Sequence, residues 1–350
     1  MSSDAGPSRK RTRVDDGDAG IPNLLEKDED VWLADGNIVV VAADKVAFRV
    51  HKSILSRPLR SEVFRDLFSL PNADAATAET FDGCPVVHVS DSSDDIRHLF
   101  LVLCCGKNYY YSRGELISVE FEVLSSLIRL AHKYVIQDVL DDALFRLRKY
   151  YTNDLAAWQD LDSRAHYVTT DGLDATTVVE LVRLTNTPPL LPSAFLVCTK
   201  LAAGYWKGPD GILKSTLSSL SVVDQAQVAA AKAYLARSCA IRMLRLLATV
   251  PCTDCTTRGT CKAARQGPLD ALRDSDVLPG PPLSSLDAMK PMAESFWSDV
   301  QWRGLCRGCR EAAVETDGRE IKHLWNSLPT IFAVEIDEGS WPGGSAPTEQ

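Results

Sequence analysis

Apolar residues along this chain recur first at a spacing of two and later at three to four, and the change of rhythm separates a mixed amino-terminal region from a helical remainder. Ile38, Val39, Val40 and Val41 form a β-branched run bounded by Asp35-Gly36 and Ala42-Ala43-Asp44, the pattern of a short buried strand. Val46, Phe48 and Val50 then alternate with Ala47 and Arg49, and the short Asp44-Lys45 connection predicts a hairpin. Val63, Phe64, Leu67 and Phe68 follow Ser61 at helical spacing, in a helix expected to stop before Pro71. Pro85-Val86-Val87-His88-Val89 predicts a third strand, with Ser90 and Asp91 capping a helix whose inner face is Ile96, Leu99, Phe100 and Leu103. Two more helices are marked by Phe121, Leu124, Ile128 and Ala131, and by Val139, Leu140, Ala143, Leu144 and Leu147.

Beyond Tyr151 the strand signal almost vanishes. Asp174 precedes Val178, Val179, Leu181 and Val182, a pattern that stops at Pro188-Pro189, and Pro192 opens a second helix carrying Phe195, Leu196, Cys198 and Leu201. Ser221 begins a long Ala-rich helix through Val228, Tyr234, Leu235, Ile241, Leu244 and Leu247 that ends before Pro251. Pro268, Pro279, Pro281, Pro282 and Pro291 predict loop with short turns over 267–291. The fold class expected is therefore α+β. A short three-stranded sheet with helices spans 28–150, an all-helical region spans 151–250, and a Cys-containing helical end spans 251–338. Residues 1–27 and 339–350 read as flexible tails, because they hold too little apolar surface to offset the entropy of ordering.

The length, 350 residues, suits about two units of ~150 residues. A net charge of -9 disfavours a general affinity for nucleic acid or anionic membrane. The longest apolar runs, 38–43 and 99–105, fall short of the ~18 residues that cross a bilayer, and no signal peptide opens the chain, so an intracellular protein is expected. Arg9, Lys10, Arg11 and Arg13 in the first tail favour the nucleus over the cytoplasm, as an exposed basic run of the kind import receptors read. Phosphate-binding loops, dinucleotide fingerprints, nucleophile elbows and His-Glu-x-x-His helices do not occur in the sequence. His51, His88, His98, His132, His166 and His323 show no metal-like pairing, and His51 and His132 are expected to be hydrogen-bonded structural residues. A non-enzymatic chain is expected, with no catalytic residues.

The segment from Val46 through His51-Lys52-Ser53-Ile54-Leu55-Ser56 to Ser61-Glu62-Val63-Phe64-Arg65-Asp66-Leu67-Phe68 resembles the start of a BTB/POZ domain. In that family an apolar strand runs into a His-Lys pair, an aliphatic residue, then a Ser and a Phe on the next helix; here these are Phe48, Val50, His51, Lys52, Leu55, Ser61 and Phe64. The likeness extends to a group of BTB proteins common in mushroom-forming (basidiomycete) fungi, through Cys84-Pro85-Val86-Val87 before Ser90-Asp91, Arg129 to Tyr134, Arg183 to Pro188, and Trp325-Asn326-Ser327-Leu328-Pro329. It implies a protein–protein interaction module that forms homo- or hetero-oligomers through the amino-terminal domain, a homodimer first. The alternatives are a substrate adaptor of a cullin-type ubiquitin ligase, with a cullin as partner, and, from another class, a zinc-dependent hydrolase.

Ten cysteines are too few for a secreted disulfide scaffold. Cys84, Cys104, Cys105, Cys198 and Cys239 sit in apolar patterns and read as core residues. Cys252-x-x-Cys255-x5-Cys261 and a later Cys306-x-x-Cys309 instead place five thiols in two loop-flanked clusters. Paired cysteines on tight turns are suited to one structural zinc ion, which takes four soft ligands; ordinary thiols near helix ends are the other reading. The resemblance to the fungal group, where the x5 spacing precedes a later Cys-x-x-Cys, points to Cys255, Cys261, Cys306 and Cys309, with Cys252 as substitute.

Overall fold

The computed structural model describes residues 25–56, 61–69, 79–112, 115–170, 174–201, 205–207, 213–215, 217–274, 288–292 and 299–343. The basic run from Arg9 to Arg13, Pro71 and the prolines at 279–282 lie outside them. Among the described residues the chain is mixed α and β: a small amino-terminal sheet followed by helices.

Strand β1 (Glu26–Trp32) is followed by β2 (Ile38–Val41), β3 (Val46–Val50), α1 (Lys52–Leu55), α2 (Glu62–Leu67), β4 (Thr80–Phe81) and β5 (Cys84–His88). The sheet has five strands rather than three, in the order β1-β3-β2-β5-β4, with β1 parallel to β3 and β5 parallel to β2. The β2–β3 hairpin is as expected, pairing Val40 with Phe48. All four residues of β2 are buried because both faces of this central strand are covered. Ile38 and Val40 face the main core, and Val39 and Val41 face a smaller cluster with Ala47 and Cys84. Of the expected tail 1–27, residues 1–24 lie outside the described residues and Glu26 and Lys27 are corrected to the start of β1, whose polar sequence carries no period-two signal; Val31 and Asp28 alone are buried on it.

Helix α3 (Ser93–Cys105) lies on the sheet, and its N-cap is Ser92, whose side chain accepts from the Asp95 N–H, not Ser90 or Asp91. Asp91 is instead drawn away to α4: Lys133 Nζ donates to it at 2.7 Å and the Tyr134 hydroxyl also donates to it. A short hairpin of β6 (Tyr111–Ser112) and β7 (Glu115–Leu116) leads to β8 (Val119–Glu120), α4 (Phe121–Lys133) and α5 (Gln137–Tyr150). Phe64 joins the layers, stacked on Tyr134 at 4.2 Å and packed on Phe100, while Ser61 caps α2 and donates to the Tyr134 carbonyl at 2.6 Å. His51 sits at the strand-to-helix junction with its ring 3.2 Å from Asp35, and His132 is exposed on α4.

Then come α6 (Leu155–Gln159), α7 (Leu161–Ala165), β9 (Val168–Thr169), α8 (Ala175–Leu184), α9 (Leu191–Leu201), β10 (Tyr205–Lys207) and β11 (Leu213–Ser215). The expectation of an all-helical 151–250 is corrected twice. Strand β9 pairs in parallel with β8, and β10 with β11 forms an antiparallel hairpin; runs of two and three residues are too short to show a period in sequence. The long α10 (Val222–Thr249) follows its Ser221 cap, then α11 (Arg258–Asp274), α12 (Asp299–Gly304), α13 (Arg307–Asn326) and α14 (Leu328–Ile331). Helix α11 runs through Pro268, where loop was expected. Proline's fixed φ is compatible with a helix, which forgoes one backbone hydrogen bond there. The expected tail 339–350 is corrected over 339–343, where Trp341 is buried against Trp325 with ring centroids 5.2 Å apart; 344–350 lie outside the described residues. Cys84, Cys198 and Cys239 are buried as expected, but Cys104 is half-buried and Cys105 exposed, off the inner face of α3 in its last turn. No described helix is long and apolar enough to cross a membrane.

Candidate metal centre

The chain leaves α10 through Val250-Pro251 into a turn in which the Cys255 N–H donates to the Cys252 carbonyl at 3.3 Å. Helix α11 starts three residues after Cys255, and Cys261 lies in its first turn, with its N–H bonded to the Thr257 carbonyl. Arg265, one turn on, donates to the Val250 carbonyl at 3.0 Å and ties the helix back to the turn. From the other side, Cys306 is the N-cap of α13 and Cys309 occupies that helix's first turn. A loop knuckle and two helix starts therefore meet at one point.

The Sγ atoms of Cys255, Cys261, Cys306 and Cys309 all lie within 4.8 Å of one another. A tetrahedral ion with sulfur at about 2.3 Å requires sulfur–sulfur edges of about 3.8 Å, and the Cys255–Cys306 separation is 3.8 Å. Backbone N–H groups point at the same sulfurs: Cys306 N–H donates to Cys261 Sγ at 3.2 Å, and Cys252 N–H to Cys309 Sγ at 3.3 Å. Such donors stabilise thiolates and orient them. The N–H groups of Cys309 and Thr256 lower Cys306 to about 5, so it ionises readily at neutral pH, whereas burial raises the Cys309 thiol. Four sulfurs without a histidine or carboxylate make a closed ligand set, the composition of sites that hold structure together rather than bind substrate.

The four cysteines expected as ligands are thus the four brought together. Cys252, expected as a substitute, stands outside that set with its Sγ 3.6 Å from Cys309 Sγ. Sequence reasoning missed the ion pair of Arg242 and Asp317, 3.0 Å apart and both buried, which joins α10 to α13. A charged residue in the buried stripe of α10 was the available clue. No protein-family model matches the chain, and a search of curated proteins finds no match.

Proposed function

We propose that this chain is a non-enzymatic protein-interaction module of BTB/POZ type, which self-associates through its amino-terminal unit and fastens its carboxy-terminal helices with one structural zinc ion. The observation that carries the interaction half is the path of the chain through the motif residues. The β2–β3 hairpin ends at His51-Lys52, α1 and the Ser61-capped α2 follow, and Phe64 is clasped between Phe100 and Tyr134 of later helices. The separate motif stretches Ser90-Asp91 and Lys133-Tyr134 meet in one hydrogen-bonded group, as parts of one domain signature would.

The four-sulfur cluster supports the metal half. Cys261 and Cys306 are 45 residues apart in sequence, so an ion shared between them closes a long loop whose entropy otherwise opposes docking of α13. Zinc suits the site because four thiolates are soft ligands and a tetrahedron is its preferred geometry. Native mass spectrometry of the full chain at tens of micromolar reads both halves at once. A dimer carrying one zinc per chain is expected. A strict monomer overturns the self-association, and a mass without metal in reduced, chelator-free protein overturns the zinc.

A further inference from the structure

The fifth thiol of the cluster has a different position from the other four. Cys252 lies outside the mutually close set, yet its sulfur is 3.6 Å from that of Cys309, and its own N–H is bonded to the Cys309 sulfur. Cys252 is half-buried, as are Cys255 and Cys306, while its neighbour Cys309 is buried; what sets Cys252 apart is that it stands outside the four-sulfur set. A ligand thiolate wrapped by its partners is shielded, and a neighbouring sulfur that holds no place in the tetrahedron is not.

We propose that Cys252 is an oxidation site, which on reaction with peroxide forms a disulfide with Cys309 and removes that sulfur from the four-cysteine set. The Cys252 sulfur attacks one oxygen of hydrogen peroxide and the O–O bond breaks. The departing oxygen takes a proton and leaves as water, and Cys252 becomes a sulfenic acid. The Cys309 sulfur then attacks the Cys252 sulfur, the S–OH bond breaks, and hydroxide leaves as a second water with a proton from the Cys309 thiol or from solvent. Two thiols lose two electrons and two protons, and one peroxide becomes two waters. The sulfurs, already in contact, need to close from 3.6 Å to about 2.05 Å. Release of metal on oxidation, and the preference for Cys252 over Cys255 and Cys306, rest on the zinc reading, since three remaining sulfurs no longer close the site; the 3.6 Å approach of the Cys252 and Cys309 sulfurs does not.

The test uses the full-length, reduced protein treated with hydrogen peroxide. Zinc is read with a chromogenic chelator, and tryptic peptides are mapped without reduction after thiol blocking. Trypsin separates Cys309, in 308–310, from Cys306, in 304–307, and fragmentation distinguishes Cys252 from Cys255 within 246–258. The expected product is a Cys252–Cys309 cross-link formed in step with zinc release and reversed by a dithiol. In Cys252→Ser the starting zinc content is unchanged and its release is slower by at least about tenfold, because the thiol that reacts with peroxide is gone. Cross-linking of Cys255 to Cys306 instead, or equal release from both proteins, overturns the proposal. Protein that starts without zinc defeats the metal reading alone, and the peptide map then decides the disulfide.

Discussion

Arg242 and Asp317 bear a burden that neither their neighbours nor their helices reveal. Arg242 falls in the buried stripe of α10 with Leu235, Cys239, Met243 and Leu246, a position where a charge is costly unless every group on it is answered. Its guanidinium donates to the carbonyls of Ala288 and Lys290 at 2.6 and 2.7 Å, while Asp317 accepts the Met292 N–H at 2.6 Å. The pair thus holds the short segment 288–292 between two helices as well as neutralising itself. Arg242→Met and Asp317→Ala are each expected to cost about 3–5 kcal/mol, since either leaves a buried charge without its counterpart. The double variant should cost much less than their sum. A double-mutant cycle by urea unfolding checks this, and additive losses would show that the two residues act independently.

At the scale of elements, α3 shows what a helix face gives away in sequence and what it hides. Its inner positions Ile96, Leu99, Phe100 and Leu103 are buried as their spacing requires, but its outer side is equally committed. Arg97 pairs with the buried Asp28 of β1 at 2.7 Å, and His98 meets the Tyr109 hydroxyl at 3.0 Å. Strand β1 is held by that Asp28–Arg97 pair and by backbone bonding to β3, neither of which leaves a hydrophobic period, so it was invisible to pattern reading. Burial lowers the His98 pKa, helped by Arg97 and opposed by Glu122, Asp94 and Asp95. Its neutral form is therefore favoured in the folded state. The stability this contributes is fully present above the unfolded value of about 6.5 and is lost as pH falls through the lower folded value. His98→Asn is expected to flatten that part of the stability profile below neutrality. Urea midpoints measured from pH 7.5 down to about 5 read the effect, and identical slopes in both proteins would assign the pH dependence elsewhere.

For the whole molecule, the local elements were largely legible and their joining was not. The helix caps at Ser61 and Ser221 and the hairpin follow from short-range pattern, and spacing marks five candidate cysteines; the choice of the four that converge follows from the resemblance to the fungal group. The boundary drawn at residue 150 does not correspond to a break in packing, because one apolar core runs from Val31 to Trp341. Helix α4 shows why. Phe121, Leu124, Leu127, Ile128, Leu130 and Ala131 are buried over about half of its circumference, with Ser125 and Ser126 buried beside them, and so wide a buried arc needs cover from more than one layer. Helices α3 and α5 cover it from within the amino-terminal unit, and α8 packs on it from beyond the boundary. Strand β8 likewise finds its partner in β9, and Asn153 accepts from the Trp325 indole at 2.9 Å. A fragment of residues 25–150 is therefore expected to bind a hydrophobic dye and unfold over a broad transition, while 25–201, which restores β9, α8 and α9, unfolds sharply at a higher midpoint. Matching midpoints would show that the amino-terminal unit stands alone. The distinction also governs how self-association is measured: an α4 face stripped of α8 would aggregate through surface that the intact protein covers, so a dimer is meaningful only when seen with the full chain.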